Sequence, residues 1–422
     1  MIFTGTTAAG ETITYRDGKR YLWLLSFIPP LVPLLSYWLY LKTQNPLVTL
    51  IPFVFIFGLI PLLDVIIGED THNPPAEVVA AMEADPYYLR LARITVVFPW
   101  VNYVALIAFC GTQDLPWWST IVLLLGVGTI NGGALLVGHE LGHKPDRLNS
   151  FLGILANNAV GYAHFRIEHN RGHHTWVATP EDPASARIGE SFWQFWPRTV
   201  LGSLKSAWRL ETRRFRIRSR SPWTWRNHIL NAWVMTAVLA VCLVAAFGVR
   251  TIPFLILQAV VGFSLLEAVN YLEHYGLARQ RTAAGRPEKV TPRHSWNSDR
   301  VVTNIFLFQL QRHSDHHANP LRRYQALRSF DESPQLAAGY ATMVVAALVS
   351  PVWRRIMDPR VLAHYGGDLS LANVHPRAAE RLRRRYPEPA PRSDGGPLPD
   401  ERVPGGADQP VGDAVQAQAS HL

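Results

Sequence analysis

The sequence predicts an all-α integral membrane protein, with six transmembrane helices carrying a histidine-rich helical cap on the cytoplasmic side. Three observations predict it. Apolar runs of about 20 residues, the length needed to cross the hydrocarbon of a bilayer, recur along the chain. Lys and Arg crowd onto alternate connections between those runs. Nine of the sixteen histidines gather in four short groups, two of them directly at the end of an apolar run.

The six predicted spans cover roughly residues 22–41, 47–67, 91–111, 117–138, 232–249 and 252–271. Prolines at positions 29, 30 and 33 in the first, and at 52 and 61 in the second, predict kinked or shortened helices. Asn102 interrupts the third. With the N-terminus in the cytoplasm, the outer connections hold only Lys42 and Arg250 of the 41 basic residues, which is the charge bias that orients membrane proteins. Both termini are therefore expected on the cytoplasmic side, in a bacterial-type inner (plasma) membrane. Met1–Arg20 is polar, and the run after it is too long for a signal peptide and lacks a small-residue cleavage pattern. A shorter run, Leu336–Val352, sits between Pro334 and Arg354–Arg355. It is expected on the membrane surface or in a core, not as a span. Residues 1–386 are read as one membrane domain. Residues 387–422 are rich in Pro, Gly, Ala and Asp without apolar period and are expected to be disordered.

The net charge of +9 is accounted for by this topology and by surfaces for anionic partners or anionic lipid, so no nucleic-acid partner is expected. The two cysteines, Cys110 and Cys242, each lie inside an apolar run. They form no disulfide framework and no CxxC pair, which excludes a thiolate cluster built from this chain.

The histidine groups are His139-Glu-Leu-Gly-His143 at the end of the fourth run, Glu168-His169-Asn-Arg-Gly-His173-His174, the single His274 in Asn270-Tyr-Leu-Glu-His-Tyr-Gly276 at the end of the sixth, and His313-Ser-Asp-His316-His317. Histidines four apart share a helix face, so His139 with His143, and His169 with His173, are each expected to grip one ion. Neighbours such as His173–His174 and His316–His317 point about 100° apart, so one turn reaches two ions. Nine imidazoles exceed the needs of one ion, and two metals at the membrane–cytoplasm boundary follow. Imidazole suits zinc, copper, nickel and iron alike. His139–His143 also fits the zinc-protease pattern HExxH, but that chemistry leaves the other seven histidines unexplained. A membrane zinc-handling protein would place ligands at mid-span, and no histidine lies there.

The groups closely resemble the boxes of the membrane-bound alkane 1-monooxygenase family, within the histidine-box di-iron superfamily that also holds desaturases. His139–Lys144, Glu168–His174, Asn270–Leu277 and Leu310–Ala318 match HELGHK, EHNxGHH, NYxEHYGL and LQRHSDHHA in that order. Gly68-Glu-Asp, Asn73–Glu77, Ala178–Pro183 and His294–Ser298 look like the same family, and the resemblance runs from about Tyr21 to about Tyr386. Desaturases and xylene-type hydroxylases share the shorter patterns; the second box and NYLEHYG favour the alkane enzymes.

The resemblance implies terminal hydroxylation of n-alkanes with O2 at two iron ions held by His139, His143, His169, His173, His174, His274, His313, His316 and His317. The metals must carry the C–H step, since no side chain can. Glu140, Glu168, Glu273 and Asp315 stand beside these ligands as partners that could fix imidazole tautomers, and Glu273 could approach the metals itself. An alkane offers only shape and length, so entry from the bilayer is expected, with Phe53, Ile56 and Phe57 of the second span setting chain length. Electrons must come from outside, and the resemblance implies rubredoxin with its flavin-containing rubredoxin reductase. The basic segment Arg209–Arg226 is the expected docking surface.

Overall fold

The computed structural model of the protein describes residues 1–387; the expected disordered tail therefore lies, beyond Pro387, outside the described residues. Among them, six helices are long and apolar enough to cross a membrane: Leu22–Thr43, Pro46–Ile67, Pro86–Thr112, Trp117–Gly142, His228–Phe247 and Val249–His274, here spans one to six. Their outer faces present bare apolar side chains, among them Leu35, Val65, Ile121, Val238 and Ile256, as lipid contact requires.

The spans fall where the apolar runs placed them. Span three starts earlier than expected because Asp85 caps it, accepting a hydrogen bond from the Tyr87 amide, with Pro86 in the first turn. Asn102 does not break it. The side chain is buried and its amide donates to the Pro30 carbonyl at 2.9 Å, tying span three to span one. The prolines segment the first two spans. In span one, Pro29 and Pro30 open the α-helical part after a 3-10 stretch at Leu22–Phe27. In span two, Pro61 follows a π-helical turn at Phe55–Leu59. Pro29, Pro30 and Pro61 thus sit in first turns, where the ladder of helix hydrogen bonds is still incomplete, while Pro33 lies inside the α-helix of span one.

Spans four and six form the axis of the bundle. They touch through glycine: a Cβ on Gly132 would lie 2.5 Å from the Gly262 carbonyl oxygen. Only glycine permits that approach, the small-residue packing typical of helices in lipid. It sets the histidine-bearing ends of the two spans, His139 and His274, side by side. The apolar stretch 336–352 joins this core. It forms the helix Tyr340–Leu348, with Tyr340, Met343, Val344 and Ala347 buried. Two short antiparallel strands at the N-terminus, Ile2–Thr6 and Thr12–Arg16, add a hairpin to the helical plan. Phe3 pins it to a cluster with Trp23, Val78 and Met82.

Candidate metal centre

All nine predicted histidines converge at one end of the bundle, and their nitrogens separate into two groups. His139, His143, His169, His174 and His316 form the first; His173, His274, His313 and His317 form the second. Span four supplies His139 and His143 and span six supplies His274; the helix His313–Ala318 supplies the fourth box. The groups adjoin, with the His174 and His317 rings 4.6 Å apart.

One pairing differs from expectation. His139 and His143 share a pocket, but His169 and His173 do not; His169 joins His174 instead. The reason is local. His169–His173 winds as a π-helical turn, in which residues five apart, not four, stack on one face. The fourth box is an ordinary helical turn, so His313 and His317 share the second pocket while His316 turns into the first.

Within each group, imidazole nitrogens face one another rather than a hydrogen-bond partner. In the first, the Nε2 atoms of His139 and His316 are 2.8 Å apart, and that of His174 is 3.0 Å from both His169 and His316. In the second, His317 Nε2 lies 2.9 Å from His313 Nε2 and 3.3 Å from His173 Nε2. The buried Nε2 atoms of His143 and His274 have no partner at all. Such convergence leaves lone pairs opposed unless a cation stands among them, so the donor set fits metal ions. Burial, reinforced by the neighbouring imidazoles, pushes His143, His169, His174, His313, His316 and His317 well below the ordinary histidine range. Burial thus favours the neutral imidazole, the form a metal ligand needs.

The second pocket is the more heavily supported. Asp182 Oδ2 accepts from His173 Nδ1 at 2.9 Å and from the Ser185 hydroxyl at 2.6 Å, while its Oδ1 accepts from the Ala184 amide. Burial opposes the charge on Asp182, but His173 and Ser185 hold it below the usual carboxylate range. This is the arrangement by which a carboxylate fixes a ligand's tautomer. His274 Nδ1 lies 3.4 Å from the His294 carbonyl oxygen. Glu273 places Oε2 3.0 Å from His313 Nε2 and accepts at Oε1 from the Tyr340 hydroxyl at 2.8 Å. The stretch 294–298 straps the third box to the fourth. The Trp296 amide donates to the Glu273 carbonyl, and Asn297 exchanges hydrogen bonds with Ser314.

Of the four predicted acidic partners, Glu273 alone stands within 3.0 Å of a pocket nitrogen. Glu140 pairs with Lys144 at 2.9 Å. Asp315, fully buried, is clasped by Arg322 at 2.6 Å and bonded by Asn319 and the Arg328 amide. Glu168 is buried near Ser206, and burial, then Asp182, pushes it well above the ordinary range. Those three hold the framework of the boxes. Asp182 and Tyr340 were not anticipated. Asp182 lies in Ala178–Pro183, so its motif gave a signal; Tyr340 stands in an apolar run and gave none. Arg312, also missed, is buried at the head of the fourth box and binds the carbonyls of Asp70 and Leu327.

Two openings approach the centre. An apolar cavity of about 980 Å³, its mouth included, lies among spans one, two, three, four and six. Ile56 and Phe57 line it; Phe53 is not on its wall but packs on Phe57, ring centroids 5.0 Å apart. Along span four the lining runs from Thr129 to Val137. That is roughly 12 Å of helix, ending just short of His139. From the other side, a broad groove of about 2640 Å³, open solvent included, reaches His143 and His174 of the first pocket. Lys144, Arg147, Arg166, Arg171, Arg213, Arg214 and Arg218 line it. The basic segment Arg209–Arg226 is helical as far as Ile217, the end of the helix Phe192–Ile217. Arg214 is engaged with Glu211 and the Arg226 carbonyl.

Residues 115–346 match the fatty acid desaturase family. An alkane 1-monooxygenase of Acinetobacter baylyi is 43% identical over 381 residues, 90% of this chain and 93% of that protein. One of Pseudomonas putida is 43% identical over 85% of this chain and 90% of its own. The hydroxylase component of a xylene/toluene monooxygenase from Pseudomonas putida is 25% identical over 54% of this chain and 61% of its own.

Proposed function

The chain belongs to the alkane 1-monooxygenase family, a group of membrane enzymes that hydroxylate alkanes, and from that premise we propose that it converts n-alkanes to 1-alkanols with O2 at two irons held by the nine histidines. The observation that carries this reading is two all-imidazole pockets beside an apolar cavity whose wall includes Val137, two residues before His139, and Tyr340, bonded to Glu273. When bound, the irons would supply O2 activation and removal of hydrogen from an unactivated carbon. His139, His143, His169, His174 and His316 would hold one, and His173, His274, His313 and His317 the other. Asp182 fixes the tautomer of His173 so that Nε2 faces the pocket. The cavity receives the alkane from the bilayer, and its apolar wall excludes water. Ile56 and Phe57, backed by Phe53, gauge its length.

Electrons come from a separate carrier. Cys110 and Cys242 are both unpaired, and each lies within a span, so neither builds a second redox site. We infer an acidic carrier, rubredoxin fed by rubredoxin reductase, docked on the basic groove. The groove is charged to attract it, and its lining includes His143 and His174 of the first pocket. The Lys and Arg distribution supports an inner-membrane protein with both termini and the histidine cap in the cytoplasm.

The test is product analysis after cells carrying the protein are fed a ladder of n-alkanes, with metal analysis of the purified protein. Terminal alcohols and about two irons per chain are expected. Alkenes, no oxidised product at any chain length, or protein that holds zinc alone would overturn the reading.

A further inference from the structure

The apolar cavity is lined by few polar side chains, and most of them turn their polarity away. Ser26 bonds to the Trp23 carbonyl, Thr95 to that of Leu91, Thr129 to that of Leu125, and Thr303 to Asp64. Tyr340 differs. Its ring lines the cavity, yet its hydroxyl donates to Glu273 Oε1, whose other oxygen is 3.0 Å from His313 Nε2 in the second pocket. The residue is therefore the direct link between the apolar wall and the histidines. It is also held firmly. The side chain is 2% exposed, its amide donates to Gln311 Oε1 at 2.8 Å, and the preceding Gly339 backs so closely on Asp64 that a Cβ there would lie 2.4 Å from Oδ2.

We propose that Tyr340 is the specificity-determining end wall of the cavity: its ring stops the substrate's terminal methyl beside the second pocket, and its bond to Glu273 holds the ring in that place. The inference rests on the reading of the cavity as the alkane channel. A planar ring anchored at both backbone and hydroxyl cannot swing aside. A chain entering from the bilayer then presents its end carbon, not an inner methylene, to the pocket. Without the ring, the chain slides further, and carbons behind the terminus come level with His313.

Two measurements test this. In the zinc-loaded, catalytically inert protein in lipid nanodiscs, equilibrium binding of an n-alkane ladder should show a sharp upper length limit. Y340A should shift that limit to chains longer by at least one methylene. Y340F, which keeps the ring, should retain the wild-type limit. In the iron-loaded enzyme, Y340A should shift product from 1-alkanol toward 2-alkanol, whereas Y340F keeps the terminal alcohol at lower turnover, since Glu273 loses its partner. Should Y340A fail to hold metal, Y340L carries the same test. I56W, which fills the cavity wall elsewhere, separates the two ideas. If I56W shortens the limit while Y340A and Y340L change neither length nor regiochemistry, the end-wall assignment is overturned and the channel reading stands. If none of the variants moves the limit, both are overturned.

Discussion

The two histidine pockets adjoin, yet their surroundings are opposite. The first, with five imidazoles, opens through His143 and half-buried His174 onto a groove lined by lysine and arginine. The second, with four, is sealed, braced by Asp182 and Glu273, and linked through Tyr340 to the apolar cavity. A basic groove reaches the first; only the Tyr340–Glu273 pair stands between the apolar cavity and the second. The difference teaches how one protein can serve reactants that share no solvent. The polar groove touches His143 and His174, whereas the apolar cavity stops at Val137 and Tyr340 without touching an imidazole.

The harshest way to break this comparison is to remove an imidazole from each side. H316A and H317A alter adjacent residues assigned to different pockets. Each should abolish hydroxylation and bring the purified protein from about two irons toward one. H72A, at a 94% exposed side chain, should leave both quantities near wild type. Full activity in a folded H316A protein would remove that residue from the site.

Next in size is the carboxylate behind His173. D182N keeps the shape but loses the charge that fixes the ring. Activity should drop by about 10- to 100-fold, the usual cost of losing a ligand's outer partner. E140Q, which weakens only the bond to Lys144 near the first pocket, should cost far less. Equal losses in the two variants would mean that the bracing is not specific to the second pocket.

The smallest effect concerns the groove. R213E with R218E changes two lining residues while sparing Arg214, which is occupied by Glu211. The apparent KM for an acidic electron carrier should rise several-fold at low salt. The difference should vanish near 1 M salt, where the Debye length is about 3 Å. Iron content should not move. An unchanged KM and salt slope would show that the groove is topological charge, and docking would then be sought around Arg322, Arg323 and Arg328.

Much of this molecule was legible in one dimension. Helix Trp117–Gly142 follows from a long apolar run, and four histidine groups, two of them at span ends, suit a metal centre because such groups are costly there without a ligand. Less was legible where a side chain's partner is remote in sequence. Glu140, Glu168 and Asp315 were as good candidates as Glu273, since adjacency to a ligand says nothing about which way a carboxylate turns. Asp315 turns to Arg322 and Arg328, and Glu273 to His313 and Tyr340, because of how separate helices pack.

By itself, then, the sequence determined the membrane class, the spans and the set of nine histidines, all of which depend on local period and composition. Tertiary structure decided how those nine divide. The π-helical turn at His169–His173 moves His169 from His173 to His174, a change of one residue in helical period that no spacing rule shows. It also decided which carboxylates face the pockets, and that Tyr340 ends an apolar cavity. Those outcomes come from contacts such as Glu273 with Tyr340, 67 residues apart, whose geometry exists only once the helix Tyr340–Leu348 has packed against span six.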